Sequence, residues 1–257
     1  MRKVFLGLIT SLSFCFAAHS MIRRIVDKDT IELAEIYLDW ADIVVLDLDN
    51  TVMYSSDVLE ANCQWCDFAE RRLQETWRFT KAEAFKKMVH GYDEFNRKAT
   101  MVPTEERFVD FIRDAQDRKI PVIAITGRPD MMCFVTVKKL ASIGVDFARG
   151  GLFRGRDFMQ VNGAHFIDGI IYNGYLGSPQ KGESLKLFLD RLNLKPKNIL
   201  MIDDRQYCLE SVQTHLPGVN FMGIRYGRCD SAFKCFKPTP EMCAYIDTVL
   251  VPLDVEH

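Results

Sequence analysis

The segment from residue 44 to residue 52 says most about the fold of this chain, and it reads Val-Val-Leu-Asp-Leu-Asp-Asn-Thr-Val. Its leading apolar residues are typical of a strand that is buried on both faces of a parallel sheet. Asp47 and Asp49 follow where that strand should end, at the edge where open α/β sheets bind ligands. Two carboxylates are costly to bury unpaired, so the pair indicates a divalent cation, with an acidic loop after a core strand as the alternative. Thr51 adds a hydroxyl at the same spacing.

Two further apolar segments also end in polar residues. Residues 120–128 read Ile-Pro-Val-Ile-Ala-Ile-Thr-Gly-Arg, so this strand ends in the hydroxyl of Thr126 and in Gly127, which lets backbone approach a ligand closely. Residues 199–204 read Ile-Leu-Met-Ile-Asp-Asp, so a third strand ends in a second pair of carboxylates. The pattern predicts an α/β protein with a mostly parallel sheet, in which these three strands are neighbours.

A lysine stands between the second and third strands. Lys181 opens a predicted helix whose apolar residues fall at helical spacing, namely Leu185, Phe188, Leu189 and Leu192. An acid pair, a hydroxyl, a lysine and a second acid pair therefore occur in this order along the chain. The order resembles the signature of the haloacid dehalogenase (HAD) superfamily of phosphohydrolases, and the resemblance covers about residues 43–225.

The resemblance implies a three-layer Rossmann-like core and a role for each signature residue. Asp47 would be the nucleophile that forms an aspartyl-phosphate, and Asp49 would protonate the leaving group and then deprotonate water. Thr126, Gly127 and Lys181 would bind the phosphoryl group, where negative charge must be stabilised during transfer. The activity implied is Mg²⁺-dependent hydrolysis of a phosphate monoester.

The resemblance also implies a magnesium site built from oxygen ligands, which Mg²⁺ prefers. Its protein ligands would be Asp47, the backbone carbonyl of Asp49, and Asp203. Asp204 would complete the ligand shell through water or would hold Lys181, and Thr51 would support the site.

Other functions remain open at this point. Dehalogenases of the superfamily do not need an acid at position 49, but sugar-phosphate mutases share the pair, so a mutase is one alternative. A catalytically idle protein that binds phosphate or metal without turnover is another. Cys63 and Cys66 form the only close cysteine pair, which is compatible with a local disulfide, ordinary buried thiols, a redox pair or half of a metal site.

The stretch between the first and second strands is longer than a core helix needs. Residues 53–100 are rich in helix formers and carry spread aromatic and apolar residues, among them Phe68, Trp77, Phe85 and Met88. We interpret about residues 53–102 as a small helical cap inserted beside the active site. In the superfamily the cap selects the substrate, which here would be a small phosphometabolite or a phosphoprotein side chain.

The N-terminal residues are typical of an export signal. Arg2 and Lys3 precede an apolar run from Val4 to Ala18, and the small residues Ala18 and Ser20 flank His19, which predicts cleavage after Ser20. The mature chain would then be residues 21–257, exported to the periplasm or secreted, with only transient membrane contact. An uncleaved anchor or a core helix is the alternative. The formal net charge of −2 gives no indication of a nucleic-acid surface.

Overall fold

The computed structural model describes residues 21–149, 157–160, 162–174 and 180–254, so the predicted export signal at residues 1–20 lies outside the described residues. The strands in chain order are β1 (Arg23–Lys28), β2 (Ile43–Leu46), β3 (Met53–Ser55), β4 (Met101–Pro103), β5 (Val122–Thr126), β6 (Phe158–Met159), β7 (His165–Ile167), β8 (Ile170–Tyr172), β9 (Asn198–Asp203) and β10 (Asn220–Tyr226).

Helices cover much of the remaining described chain. They are α1 (Glu32–Tyr37), α2 (Cys63–Glu75), α3 (Lys81–Lys98), α4 (Glu106–Asp117), α5 (Cys133–Ser142), α6 (Lys181–Arg191), α7 (Gln206–His215), α8 (Asp230–Cys235) and α9 (Pro240–Tyr245). Short 3₁₀ turns at Leu38–Trp40 and Asp130–Met132 extend α1 and precede α5, and a π-helical turn at Ile246–Leu250 follows α9. Among the described residues, no helix combines the length and the apolar character needed to span a membrane.

Within the described ranges, the central sheet has eight strands in the order β1-β10-β9-β2-β5-β8-β7-β6. Neighbouring strands from β1 to β8 in this order run parallel, and β7 and β6 then run antiparallel to their neighbours. This confirms the predicted α/β class with a mostly parallel sheet. It also confirms that the strands ending at Asp47, Asp203 and Thr126 are neighbours, because β2 lies between β9 and β5.

The central strand is buried on both faces, as its apolar run predicts. Val44 and Leu46 pack into one hydrophobic cluster with α1 and α4, whereas Ile43 and Val45 pack into another with α6 and α7. Burying each such side chain stabilises the fold by about 1.5–3 kcal/mol. Side chains of a strand alternate between its faces, so this division places one layer of helices on each side of the sheet.

Two helices lie beside the sheet in the region that the sequence suggested for a cap. α2 and α3 follow the short strand β3 and precede its antiparallel partner β4. Their apolar faces form a third hydrophobic cluster around Trp65, which is fully buried. The C-terminal segment contributes Met242, Ile246 and Leu250 to the same cluster, and the Lys87 amine donates a hydrogen bond of 3.0 Å to the Leu250 carbonyl.

Some local predictions are confirmed and others need correction. The sequence from His165 to Tyr172 predicts a hairpin that turns at Asp168 and Gly169. The structure confirms it, because both residues have positive φ (48° and 85°) and lie between the antiparallel β7 and β8. The sequence from Thr30 to Trp40 predicts one amphipathic helix, but α1 covers only Glu32–Tyr37 and a 3₁₀ turn follows it. The edge strand β1 was not predicted from the sequence. Four of its six residues are charged, namely Arg23, Arg24, Asp27 and Lys28, so it lacks the apolar run that indicates a buried strand.

Candidate active site

The predicted site residues converge at the carboxyl edge of the sheet. Asp47 follows β2 directly, Asp203 is the last residue of β9, and Thr126 is the last residue of β5. Lys181 is the first residue of α6 and reaches the same edge. Parallel strands bring their carboxyl ends to one edge of a sheet, so the topology assembles these groups from segments that are far apart in sequence.

Lys181 is held between two carboxylates. Its amine donates hydrogen bonds to Asp47 Oδ1 at 2.5 Å and to Asp203 Oδ2 at 2.8 Å. Burial of Lys181 disfavours its charged form, but the two carboxylates more than compensate and keep its pKa well above the usual range. Gly182 allows this placement, because a Cβ there would lie 2.2 Å from the Ser211 carbonyl oxygen of α7. The close packing of α6 on α7 thus sets the position of the lysine.

Three buried carboxylates are close enough to share one metal ion. Asp47, Asp203 and Asp204 each offer an oxygen, and these oxygens all lie within 4.8 Å of one another. Burial raises the pKa of Asp47 to about 7 against the opposing effect of Lys181. Burial and the charges of Asp47 and Asp203 raise the pKa of Asp204 to about 8. An all-oxygen donor set whose members repel one another fits a divalent cation such as Mg²⁺.

These shifts predict how pH changes the stability of the metal-free protein. Because the pKa values of Asp47 and Asp204 are raised to about 7 and about 8, the folded state keeps protons that the unfolded state releases from about pH 4 upward. Stability is therefore expected to fall as pH rises from about 4 to 8 in chelator. Asp49 does not oppose this trend, because its lowered pKa matters only at more acidic pH.

Thermal melts with and without Mg²⁺ test this expectation. Protons and metal compete for the same carboxylates, so Mg²⁺ should raise the melting temperature more at pH 8 than at pH 5. An equal rise at both pH values would contradict the assignment of these carboxylates as metal ligands.

Asp49 does not point freely into the site but is held by a buried arginine. Arg128 Nε and Nη2 donate to its two carboxylate oxygens at 2.9 and 2.6 Å, and the Tyr92 hydroxyl donates to Oδ1 at 2.9 Å. The same guanidinium donates to Asn96 Oδ1 at 2.9 Å and to Thr136 Oγ1 at 3.2 Å. Burial of Asp49 would raise its pKa, but the Arg128 ion pair outweighs burial and lowers it.

This pairing bears on the role predicted for Asp49. A proton donor must carry a proton when the leaving group departs, whereas the structure stabilises Asp49 as a carboxylate. Its role as general acid and base therefore stays a prediction that requires the Arg128 contact to loosen. Sequence reasoning missed Arg128 as a site residue. Its position directly after Thr126 and Gly127 is a signal that could have found it, but its partners Tyr92 and Asn96 on α3 could not be read from spacing.

The ion pair between Arg128 and Asp49 should contribute strongly to the free energy of unfolding. Arg128→Met would leave Asp49 buried without its partner, and breaking a buried pair in this way typically costs about 3–5 kcal/mol. We expect urea unfolding to show a loss of that size in the free energy of unfolding. Arg113→Met is the matched control, because the Arg113 side chain is 49% exposed and should matter by less than about 0.5 kcal/mol. Equal effects of the two substitutions would show that the buried pair does not form in solution.

The other predicted site residues, Gly127, Thr126 and Thr51, lie in three different environments. Gly127 borders the cavity, and a Cβ there would meet nothing within 4 Å, so space for a ligand is present. Thr126 is fully buried, and its hydroxyl oxygen accepts a hydrogen bond from the Arg128 backbone at 3.1 Å. Thr51 Oγ1 accepts a hydrogen bond from the Asp204 backbone at 3.1 Å, which ties the first acidic segment to the second.

A cavity of about 260 Å³ opens between the sheet edge and helices α2 and α3. Asp47, Asp49, Lys181 and Asp204 lie at the sheet side. The helix side is formed by uncharged side chains and by one carboxylate, Asp67, and the uncharged residues are Cys63, Cys66, Phe85, Met88, Val89 and Tyr92. Arg205 and Tyr207 complete the lining. The carboxylates are therefore accessible to a small ligand that enters beneath α2 and α3.

The cysteine pair faces this cavity as free thiols. Cys63 and Cys66 lie on the first turn of α2, and neither forms a disulfide. Burial raises the pKa of both thiols well above the usual range, which keeps them neutral. Of the interpretations left open by the sequence, ordinary thiols agree with this half-buried environment, whereas the structure has no disulfide between Cys63 and Cys66.

Comparisons with solved structures give weak likenesses. A Clostridium difficile protein described as a candidate phosphatase is 13% identical, with 74% of this chain and 97% of that chain covered and a TM-score of 0.45. A phosphoserine phosphatase in apo form is 14% identical, with 76% and 98% covered and a TM-score of 0.39. A HAD-superfamily hydrolase from Geobacter sulfurreducens is 14% identical, with 74% and 94% covered and a TM-score of 0.36. At these identities and TM-scores the likenesses carry no conclusion about activity.

Comparison with protein families gives a match over most of the chain. No curated protein matches the chain. A family profile described as "Protein of unknown function (DUF2608)" matches residues 28–246, which include every residue of the candidate active site. The chain therefore belongs to this family, whose description assigns no activity.

Proposed function

We propose that the protein is a HAD-type phosphatase that hydrolyses a phosphate monoester with the help of Mg²⁺. The observation that carries the proposal is the convergence of Asp47, Asp203, Asp204 and Lys181 at one sheet edge beside a cavity. This arrangement joins a nucleophile, an oxygen-only cation site and a cationic donor, which are the groups that phosphoryl transfer requires.

Asp47 is the proposed nucleophile. One of its carboxylate oxygens attacks phosphorus, the bond from phosphorus to the alcohol oxygen breaks, and an aspartyl-phosphate remains. Lys181 can donate to the phosphoryl oxygens from its place between Asp47 and Asp203, where burial strengthens its electrostatic effect. Asp47, Asp203 and Asp204 would hold Mg²⁺, which neutralises negative charge on the phosphoryl oxygens when it is bound.

Asp49 is the proposed proton carrier. It would give a proton to the departing alcohol oxygen and then take one from the water that hydrolyses the aspartyl-phosphate. Arg128 and Tyr92 hold Asp49 in the ionised form in the structure, so substrate binding must weaken these contacts and Asp49 must take up a proton from solvent before the first proton transfer. Tyr92 belongs to α3, which means that movement of this helix would act directly on the acid.

A second candidate function follows from the same contacts. A protein that binds phosphate or metal without turnover has no need of a protonated Asp49, and the Arg128 pair favours the ionised form. Hydrolysis of p-nitrophenyl phosphate separates the two. We expect turnover that requires Mg²⁺, disappears with chelator and returns when Mg²⁺ is added. Binding of inorganic phosphate without any turnover would instead support the idle protein.

A further inference from the structure

We infer that the site takes a phosphate ester whose alcohol part is compact, uncharged and apolar. This inference rests on the proposed function and names its substrate class. It is carried by the wall of the cavity that faces the carboxylates, where the alcohol part of a bound ester would lie.

The wall is built from apolar positions on two helices. Phe85, Met88 and Val89 follow one another at spacings of three and one on α3, so that they share one face of the helix. Cys63 and Cys66 are three residues apart on α2 and line the same cavity. The two thiols are kept neutral by burial and behave as small apolar groups.

Most of the charged residues at the sheet side of the cavity have partners within the protein. Asp49 is paired with Arg128, and Lys181 is paired with Asp47 and Asp203. Asp204, the remaining carboxylate at the sheet side, belongs to the proposed metal site.

Arg205, Asp67 and Tyr207 form a more exposed, polar part of the lining, where the Arg205 and Asp67 side chains are 33% and 53% exposed. Arg205 Nη2 lies 3.7 Å from Asp67 Oδ2, and Arg205 Nη1 donates to the Tyr207 hydroxyl at 3.2 Å. An alcohol part that lies against Phe85, Met88 and Val89 would lose the hydrogen bonds that its hydroxyl, amino or carboxylate groups make with water, because these three side chains offer no polar atom in return. Each loss of this kind is expected to lower kcat/KM, because a buried polar group without a partner is unfavourable.

The size of the cavity limits the alcohol part further. Its volume of about 260 Å³ is below the range of roughly 300–1,000 Å³ that is usual for drug-sized ligands, and the phosphoryl group must occupy the end beside Asp47 and Lys181. A short alkyl group or a single ring fits the remaining space. Substrates with a large polar alcohol part, such as nucleotides, would extend beyond it.

A pair of esters with alcohol parts of similar size tests the inference. The purified protein with Mg²⁺ is assayed on n-butyl phosphate and on glycerol 1-phosphate, both of which are esters of primary alcohols. We expect kcat/KM to be about 10- to 100-fold higher for n-butyl phosphate, which is the range that apolar contacts in a pocket typically give. Equal values, or a preference for glycerol 1-phosphate or phosphoserine, would overturn the inference.

Substitution of Phe85 in the apolar wall gives a second test of the inference. Phe85→Gln should lower the ratio of kcat/KM for n-butyl phosphate to kcat/KM for glycerol 1-phosphate about tenfold. Phe85→Leu keeps an apolar side chain and should keep the preference for n-butyl phosphate. It remains informative if the glutamine variant fails to fold. Phe134→Gln is the matched control, because Phe134 on α5 is 71% exposed and lies outside the cavity lining.

The outcomes separate this inference from the proposed function. Turnover of p-nitrophenyl phosphate with a preference for hydroxyl-bearing esters keeps the phosphatase and overturns the apolar substrate. Equal loss of activity on both esters in Phe85→Gln, with Phe134→Gln unchanged, would also overturn it, because the side chain would then not select between alcohols. If the protein hydrolyses none of these esters, including p-nitrophenyl phosphate, both the inference and the proposed function are overturned.

Discussion

Asp47→Asn is expected to reduce phosphatase activity to the background rate. The substitution removes the oxygen anion that attacks phosphorus, and an amide oxygen is a far weaker nucleophile. It changes little in packing, because asparagine has nearly the volume of aspartate and Lys181 keeps its hydrogen bond to Asp203. The rate of p-nitrophenyl phosphate hydrolysis with saturating Mg²⁺ measures the effect.

Asp110→Asn is the matched control for this prediction. The Asp110 side chain is 80% exposed on α4, so the same chemical change there should leave both activity and melting temperature unaltered. Activity of Asp47→Asn within about tenfold of the unsubstituted protein would contradict the role of Asp47 as the nucleophile, because general acid–base help alone is worth more than that. A collapse of its melting temperature would indicate a structural effect instead.

Asp49→Asn should impair the reaction in a different way. Asp47 remains able to attack, but both proton transfers lose their carrier, and general acid–base catalysis typically contributes about 10²–10⁴-fold. With p-nitrophenol as leaving group the first step needs little help from an acid, so the loss should be larger for an alkyl phosphate. Steady-state rates on p-nitrophenyl phosphate and on n-butyl phosphate measure this difference.

Asp49→Asn should also lower the free energy of unfolding. The amide that replaces the Asp49 carboxylate carries no charge to pair with Arg128, so some loss of stability is expected together with the loss of rate. Arg128→Met should cause a loss of stability as well. An Asp49→Asn protein with unchanged steady-state rates on both esters would contradict the acid–base role.

The sheet could be predicted from the sequence because its central strands are buried on both faces. The apolar runs that end at Asp47, Thr126 and Asp203 have no polar alternation, and such runs occur mainly in parallel sheets covered by helices. The edge strand β1 is different, since it pairs on one side only, with β10, and its charged side chains obscure the pattern.

Sequence reasoning could predict only those site residues that lie at the end of a strand or the start of a helix. Asp47, Asp203 and Lys181 meet because the topology of a parallel sheet brings these chain positions together. The bidentate pair of Asp49 and Arg128 depends on the placement of α3, whose Tyr92 and Asn96 complete the contacts. The C-terminal packing against α2 and α3 likewise depends on long-range contacts that short amphipathic helices do not specify by themselves.

Trapping of the covalent intermediate tests the role of Asp47 most directly. The Asp49→Asn variant is mixed with p-nitrophenyl phosphate that carries a labelled phosphoryl group, quenched in acid within the first turnover, and digested for peptide mapping. Because hydrolysis of the aspartyl-phosphate is slowed, we predict label that accumulates on Asp47 with the burst of p-nitrophenol and is absent when Asp47→Asn is added to the same variant. Label on another residue, or a burst of p-nitrophenol without any labelled protein, would contradict the role of Asp47 as nucleophile.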